Sequence, residues 1–165
     1  MLKKLIIITT LVTGMAACKS DSKSARNYNN DIIAKENSLT PEVTVTESNV
    51  KKYYDAGEYD SLAAAGENME SLVQRSIDEI NAMPVPKAKE ADNFKTSMIR
   101  YFTFIKSLYT TYKEFGRAGT DEKRQEKLQE IQKIVSQKQD ILTEMQGAQR
   151  KFAEANNFKL EKKPN

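Results

Sequence analysis

The feature that most constrains this chain is a helical repeat of apolar residues near its C-terminus. Between Thr120 and Ala155, apolar residues recur at intervals of three and four, separated by Gln, Lys and Glu, which favour helices. Thr120 is a candidate N-cap, and Gly147 is a candidate bend or close-packing point. The spacing places these apolar residues on one stripe, which must be buried against other helices. The residues of the stripe are Leu128, Ile131, Ile134, Val135, Ile141, Leu142, Met145, Ala148 and Phe152.

The same spacing predicts two earlier helices, over residues 60–83 and 87–115. The run Met83-Pro84-Val85-Pro86 separates them, because proline lacks an amide hydrogen and disfavours helical geometry in the residue before it. The second of these helices has an aromatic-rich stripe, for which core packing is the first interpretation and a pocket for an apolar ligand is the alternative. The aromatic members of the stripe are Phe94, Tyr101, Phe102, Tyr109, Tyr112 and Phe115.

The first helix is the least regular. Residues 25–55 predict a broken or kinked helix, with the break near Pro41 and the end at Gly57. Residues 43–46 alternate like a strand, but the chain has no second β-rich run to pair with them. The sequence therefore predicts an all-α, antiparallel up-down-up-down four-helix bundle over residues 28–160. A three-helix bundle preceded by an irregular N-terminal arm is the alternative.

The N-terminus has the order of a secretion signal. Lys3 and Lys4 form a positive region, an apolar stretch covers residues 5–12, and small residues precede Cys18. The apolar stretch is shorter than the roughly 20 residues of a membrane-spanning helix. The segment resembles the bacterial lipobox, in which Leu is preferred where Met15 stands. This resemblance implies cleavage between Ala17 and Cys18, and acylation of Cys18 as a membrane anchor.

The chain has one cysteine and no histidine. A single cysteine forms no internal disulfide, so the fold must depend on packing. With Cys18 acylated, no thiol remains for catalysis, and the usual general base and zinc ligand are missing. The acidic turn over residues 55–60 has too few ligands for an EF-hand loop. We therefore predict a protein that is not an enzyme and has no metal site and no cofactor.

Composition divides the chain further. Residues 1–17 are predicted to be the signal peptide, residues 18–27 the lipidated cysteine and a flexible tether, and residues 161–165 a disordered tail. Removing Lys3 and Lys4 with the signal leaves 24 basic against 23 acidic residues, which gives no electrostatic argument for nucleic acid. Lys19 stands where enterobacterial lipoproteins kept at the inner membrane have Asp. The predicted location is therefore the outer membrane, at its periplasmic face or the cell surface.

The two ends of the bundle also resemble a known family. Residues 148–160 (AQRKFAEANNFKL) look like the ending of a family of small bacterial lipoproteins, found in Bacteroidetes and spirochaetes, whose function is unknown. Residues 28–33 (YNNDII) are similar to their beginning, and Pro84 and Pro86 fall where those proteins also have a break between helices. The resemblance implies a helical bundle in the cell envelope, and it carries no catalytic residue.

Two functional hypotheses remain from the sequence. The first is a non-catalytic binding or structural module that presents a face of the bundle to an unidentified envelope protein. The second is a carrier or sensor that holds an apolar small molecule inside the bundle. A sizeable apolar cavity would oppose the first hypothesis and support the second. The candidate residues of a ligand or partner surface are Tyr53, Tyr54 and Tyr59, which cluster near a turn, and Phe104, which lies off the aromatic stripe.

Overall fold

The computed structural model describes the backbone of residues 17–160 and the side chains of residues 22–160. Every regular element in this range is an α-helix. Together α4 and α5 occupy the place of the predicted fourth helix, so the prediction of an all-α four-helix bundle is confirmed. The predicted signal residues before Ala17 and the predicted tail after Leu160 lie outside the described residues. The helices are α1 (Ala17–Ala56), α2 (Tyr59–Ala82), α3 (Ala91–Arg117), α4 (Asp121–Ser136) and α5 (Lys138–Ala155).

Pro41 lies inside α1, and the helix continues through it. A break at this position is therefore wrong, and so is the alternative of an irregular arm, whereas the kinked helix stays a prediction. Pro41 is exposed and has no amide hydrogen to donate to the preceding turn. Nearby hydroxyl groups donate to backbone carbonyls of the same helix: Ser38 to Lys35 at 2.8 Å, Thr40 to Glu36 at 3.1 Å, and Thr44 to Thr40 at 3.0 Å. These bonds give additional partners to three helix carbonyls that precede the proline.

The structure extends α1 towards the N-terminus beyond its predicted start. Residues 18–27, predicted to be a flexible tether, are helical, and Ala25 is fully buried. Ser22 Oγ lies 3.5 Å from the carbonyl oxygen of Asn157, just beyond the end of α5. The polar composition of this segment concealed one small apolar residue, Ala25, which continues the buried stripe of Tyr28 and Ile32 by one turn.

Contacts between neighbouring helices join an early position of one to a late position of the next. Moving forward along one helix therefore means moving backward along its neighbour, which fits the predicted up-down-up-down arrangement. The contacts are Lys35 with Glu79 and Val50 with Leu62 for α1 and α2, Arg117 with Glu67 and Lys95 with Asn81 for α2 and α3, and Lys127 with Glu114 and Arg100 with Glu144 for α3 and the α4–α5 pair.

Two glycines allow α2 and α3 to pack against each other closely. A Cβ atom at Gly66 would lie 2.7 Å from the backbone nitrogen of Lys113 and 2.9 Å from the carbonyl oxygen of Tyr109. A Cβ atom at Gly116 would overlap the carbonyl oxygen of Tyr59. Any larger residue at these positions would force the two helices apart, since both obstacles are backbone atoms.

Aromatic rings close the bundle at the end where α1 and α3 begin. Phe94 and Phe152 are fully buried and stack with their ring centroids 5.1 Å apart, while Tyr28 meets both edge-on at 6.4 and 6.2 Å. Phe158 packs its edge against Phe152 at 5.5 Å. The chain therefore folds back onto the bundle after α5 at Phe158. These rings hold α1, α3 and α5 together at this end.

The fourth helix is interrupted at Gln137 and not at Gly147, which the sequence marked as a candidate bend or close-packing point. The amide of Gln137 donates to the carbonyl of Ile134 at 3.0 Å, a tight turn of the 3₁₀ type. The hydroxyl of Ser136 donates to the carbonyl of Lys133 at 2.7 Å. A serine hydroxyl that binds the preceding turn in this way competes with the helical backbone and favours a bend. Gly147 lies within α5.

Candidate functional site

An apolar groove lies between α1 and the α4–α5 pair, with α3 as its floor. Its volume is about 460 Å³, and we call it the central groove. Most of its lining is hydrocarbon and aromatic, with two carboxylates, one ammonium group and several hydroxyl groups among it. The lining includes Glu36, Leu39, Thr40, Val43, Thr44 and Glu47 from α1, Tyr101, Phe102, Phe104, Ile105, Leu108, Tyr109 and Tyr112 from α3, and Val135, Lys138 and Leu142 from α4 and α5.

The groove exists because α1 and α4 do not pack against each other. Within residues 17–160, no Cα atom of α1 lies within 8 Å of one in α4. The side chains of α1 and α5 meet at the closed end of the bundle, where Gln149 donates to Asn29 at 3.0 Å. None of the residues of α4 is buried, and Val135 is 48% exposed. The apolar stripe of the fourth helix is thus uncovered next to its interruption at Gln137.

A carboxylate and two phenols form the polar centre of the groove. The hydroxyl of Tyr112 donates to Glu47 Oε2 at 3.3 Å. Burial raises the pKa of Tyr112 and of Tyr109 well above the usual value, and the negative charge of Glu47 and a hydrogen bond to it raise both further. Both phenols therefore remain protonated at neutral pH and act as hydrogen-bond donors. Nearby, burial and then the charge of Glu36 raise the pKa of Tyr101 to about 12.

A smaller recess of about 310 Å³ continues the central groove along α1. Glu47 and Tyr112 line both spaces, so their hydrogen bond marks the junction. Beyond the junction, the walls of the recess are mostly apolar and come from all of α1, α2, α3 and α4. Its other lining residues are Val50, Lys51, Tyr54, Leu62, Phe115, Leu128 and Ile131.

The structure separates the four aromatic residues that the sequence proposed as a surface. Tyr53, Tyr54 and Tyr59 gather around Phe115, with the rings of Tyr54 and Tyr59 at 5.6 and 5.7 Å from that of Phe115. Tyr54 is 47% exposed and lines the recess, and Tyr53 is half-buried. The guanidinium of Arg124 lies 4.1 Å from the ring centroid of Tyr59, a cation–π contact.

Phe104, the fourth of these residues, lines the central groove and is half-buried. The backbone of Ala17 and Cys18, the predicted cleavage and acylation site, forms the first turn of α1. The side chain of Cys18 lies outside the described residues, so its acylation stays a prediction.

Glu47, Thr40 and Thr44 line the groove but were not predicted from the sequence. A signal for them exists, because these polar residues share one face of α1 with the apolar residues Leu39 and Val43. A stripe that mixes carboxylate and hydroxyl groups with apolar side chains is unusual for a closed core, where each polar group needs a partner. On α1 this mixture marks the wall of the groove.

Further observations concern metals and membranes. Among the described residues, no three or more acidic or cysteine side chains come together in a way that could hold a metal ion. No helix within residues 17–160 has a stretch long and apolar enough to cross a bilayer.

Comparisons with known proteins add no relative. The family resemblance of the two ends of the bundle therefore stays a prediction, and the groove is the main structural guide to function. The chain matches no protein-family model, no curated protein and no solved structure.

Proposed function

We propose that this chain is a lipid-anchored protein of the bacterial cell envelope that binds an apolar small molecule in its central groove, as a carrier or sensor without catalytic activity. The observation that carries the proposal is the groove itself, a space of about 460 Å³ lined mainly by apolar and aromatic side chains. Of the two functions that the sequence left open, this is the one that needs such a space.

The size of the groove favours a small molecule over a protein partner. Small-molecule sites have volumes of about 300–1,000 Å³, are mostly apolar and contain a few well-placed polar groups. A stable protein interface instead covers about 800 Å² on each partner. The central groove has the volume of a small-molecule site, and Glu47 with its two phenols supplies the few polar groups.

The anchor is the second part of the proposal, and it is supported by the sequence. The signal-like N-terminus and the lipobox-like residues before Cys18 favour acylation. In the structure Cys18 belongs to the first turn of α1, the helix that also forms one wall of the groove. Acylation would therefore attach the binding site to the membrane through a single continuous helix. The outer membrane remains the proposed location.

The test uses residues 19–165, which retain every described side chain, including the whole core from Ala25 to Phe158. Binding of Nile red, a neutral apolar fluorophore, is measured by its fluorescence increase. Val43 is half-buried and lines the groove, so V43F should fill part of the space and weaken Nile red binding about tenfold or more.

V45F is the matched control, since Val45 lies on the same helix, is 57% exposed and lines neither space. It should bind Nile red as the unaltered chain does. Thermal unfolding of both variants shows whether each is folded at the temperature of the assay. If the unaltered chain binds no Nile red, or if V43F and V45F bind it equally well, the proposed function is wrong.

A further inference from the structure

Among the described residues, Glu47 has hydrogen-bond donors around it but no ion-pair partner. Its contacts are the phenols of Tyr112 and Tyr109, both neutral. Among residues 22–160, no Lys or Arg forms an ion pair with it. Lys51, one turn further along α1, binds Asp55 instead, at 2.6 Å. The carboxylate of Glu47 therefore brings a negative charge into an apolar groove, and within the described chain no positive charge is paired with it.

The surroundings of Glu47 suit a positively charged group. The rings of Tyr109 and Tyr112 lie next to each other, with centroids 5.9 Å apart, and both line the groove beside the carboxylate. Aromatic rings attract ammonium groups through their electron-rich faces, and a carboxylate adds direct charge attraction. An anion would instead be repelled by the negative charges of Glu47 and Glu36, while the exposed Lys138 at the rim would attract it.

The shape of the groove suits a chain attached to such a group. From Glu47 back to Glu36, α1 rises about 16 Å, and the wall facing this stretch is largely apolar. A head group at Glu47 would stand at the junction of the two spaces, with the larger space free for an alkyl chain. The Glu47 end of the larger space is thus charged and hydrogen-bonding, the stretch beside it along Leu39 and Val43 is apolar, and Glu36 stands at the far end.

We propose that the central groove binds a single-chain amphiphile with a cationic head group, and that Glu47 holds this head group beside the half-buried ring of Tyr112. The inference rests on the proposed function, which requires only that the groove binds an apolar molecule. It adds the chemical class of the ligand and the residue that selects it.

The experiment measures displacement of Nile red from residues 19–165 by three probes with the same alkyl chain. The two ionic probes are used below their micelle-forming concentrations and the neutral probe below its solubility limit. The probes are decyltrimethylammonium, decyl sulfate and decanol. We expect decyltrimethylammonium to displace the dye at a concentration at least about tenfold lower than decyl sulfate. Decanol should fall between them, since it has the chain without the charge.

E47Q removes the charge and keeps an oxygen that accepts from the phenols. It should weaken the binding of decyltrimethylammonium about tenfold and leave the binding of decanol unchanged. E42Q is the control, because Glu42 lies on the same helix, is exposed and lines neither space. It should leave all three probes unchanged.

The outcomes separate the two proposals. If decanol displaces the dye but the cation and the anion bind equally well, the cationic ligand is wrong and the proposed function stands. If E47Q keeps the preference for the cation, Glu47 is not the selecting residue. If Nile red and all three probes fail to bind, the proposed function fails as well. The order in which the three probes displace the dye from the unaltered chain tests the cationic ligand even if E47Q does not fold.

Discussion

The close approach of α2 and α3 gives a prediction in which two effects of one substitution oppose each other. Replacing Gly66 with Ala adds a Cβ atom 2.7 Å from the backbone nitrogen of Lys113, whereas ordinary contact begins at 3.4 Å. The helices must therefore separate locally by about 0.7 Å. Overpacking of this kind costs about 1–3 kcal/mol, and the upper half of that range applies because backbone cannot rotate away. Against this, Ala stabilises a helix interior over Gly by about 1 kcal/mol.

The net expectation for G66A is a loss of about 1–2 kcal/mol in the free energy of unfolding. G147A is the matched control, since Gly147 lies inside α5 and a Cβ atom there meets nothing within 4 Å. Only the difference in helix propensity remains, so G147A should raise the free energy of unfolding by up to about 1 kcal/mol.

Both variants are compared with the unaltered chain by urea unfolding of residues 19–165, followed by circular dichroism. The difference between the two substitutions should be about 2–3 kcal/mol, although the chemical change is identical. If G66A is as stable as G147A, α2 and α3 are not in backbone contact at Gly66, and the packing described above is incorrect.

Three further predictions concern the core, the pH dependence and the anchor. F152A should cost about 3–5 kcal/mol in urea unfolding because the ring is fully buried and stacked on Phe94; a cost below 1 kcal/mol would contradict this. Burial opposes ionisation of Glu70, but hydrogen bonds from Lys113 and Thr110 outweigh it and lower its pKa below 4.5. The stabilisation that results is present above the usual pKa of a glutamate side chain and is lost as the pH falls below it. E70Q should therefore reduce the slope on the acid side of a plot of unfolding free energy against pH, and an unchanged slope would contradict this prediction. Mass spectrometry of the mature protein from cells should find acylated Cys18 as its first residue, and an unmodified Cys18 or cleavage elsewhere would refute the anchor.

Much of the fold was predictable because apolar periodicity reports directly which face of a helix is buried. The stripes of α2 and α3 and the break at Pro84 and Pro86 agree with the structure. The N-cap at Thr120 is also confirmed, since its side chain accepts from the amide of Lys123 at 3.3 Å. These features depend on residues close together in the sequence, and local rules describe them well.

The groove was not predictable in the same way, because periodicity does not report whether a partner covers the apolar face. Val135 and Phe152 belong to the same stripe and give the same signal in the sequence. In the structure Phe152 is fully buried, while Val135 is 48% exposed. The difference depends on how α1 and α4 diverge, which follows from packing between distant segments. Sequence reasoning therefore found the aromatic floor of the groove but could not tell it from a closed core.

The continuity of α1 also sets the distance along the helix between Cys18 and the groove. If Cys18 carries the anchor, the helix rises about 27 Å before it reaches Glu36 and about 44 Å before it reaches Glu47. With the bundle upright, the groove then stands in the aqueous layer, clear of the lipid head groups, and its ligand arrives from solution. With α1 lying along the membrane surface, the same groove lies closer to the lipids. The tilt of α1 would thus determine whether a ligand reaches the groove from the aqueous phase or from the membrane.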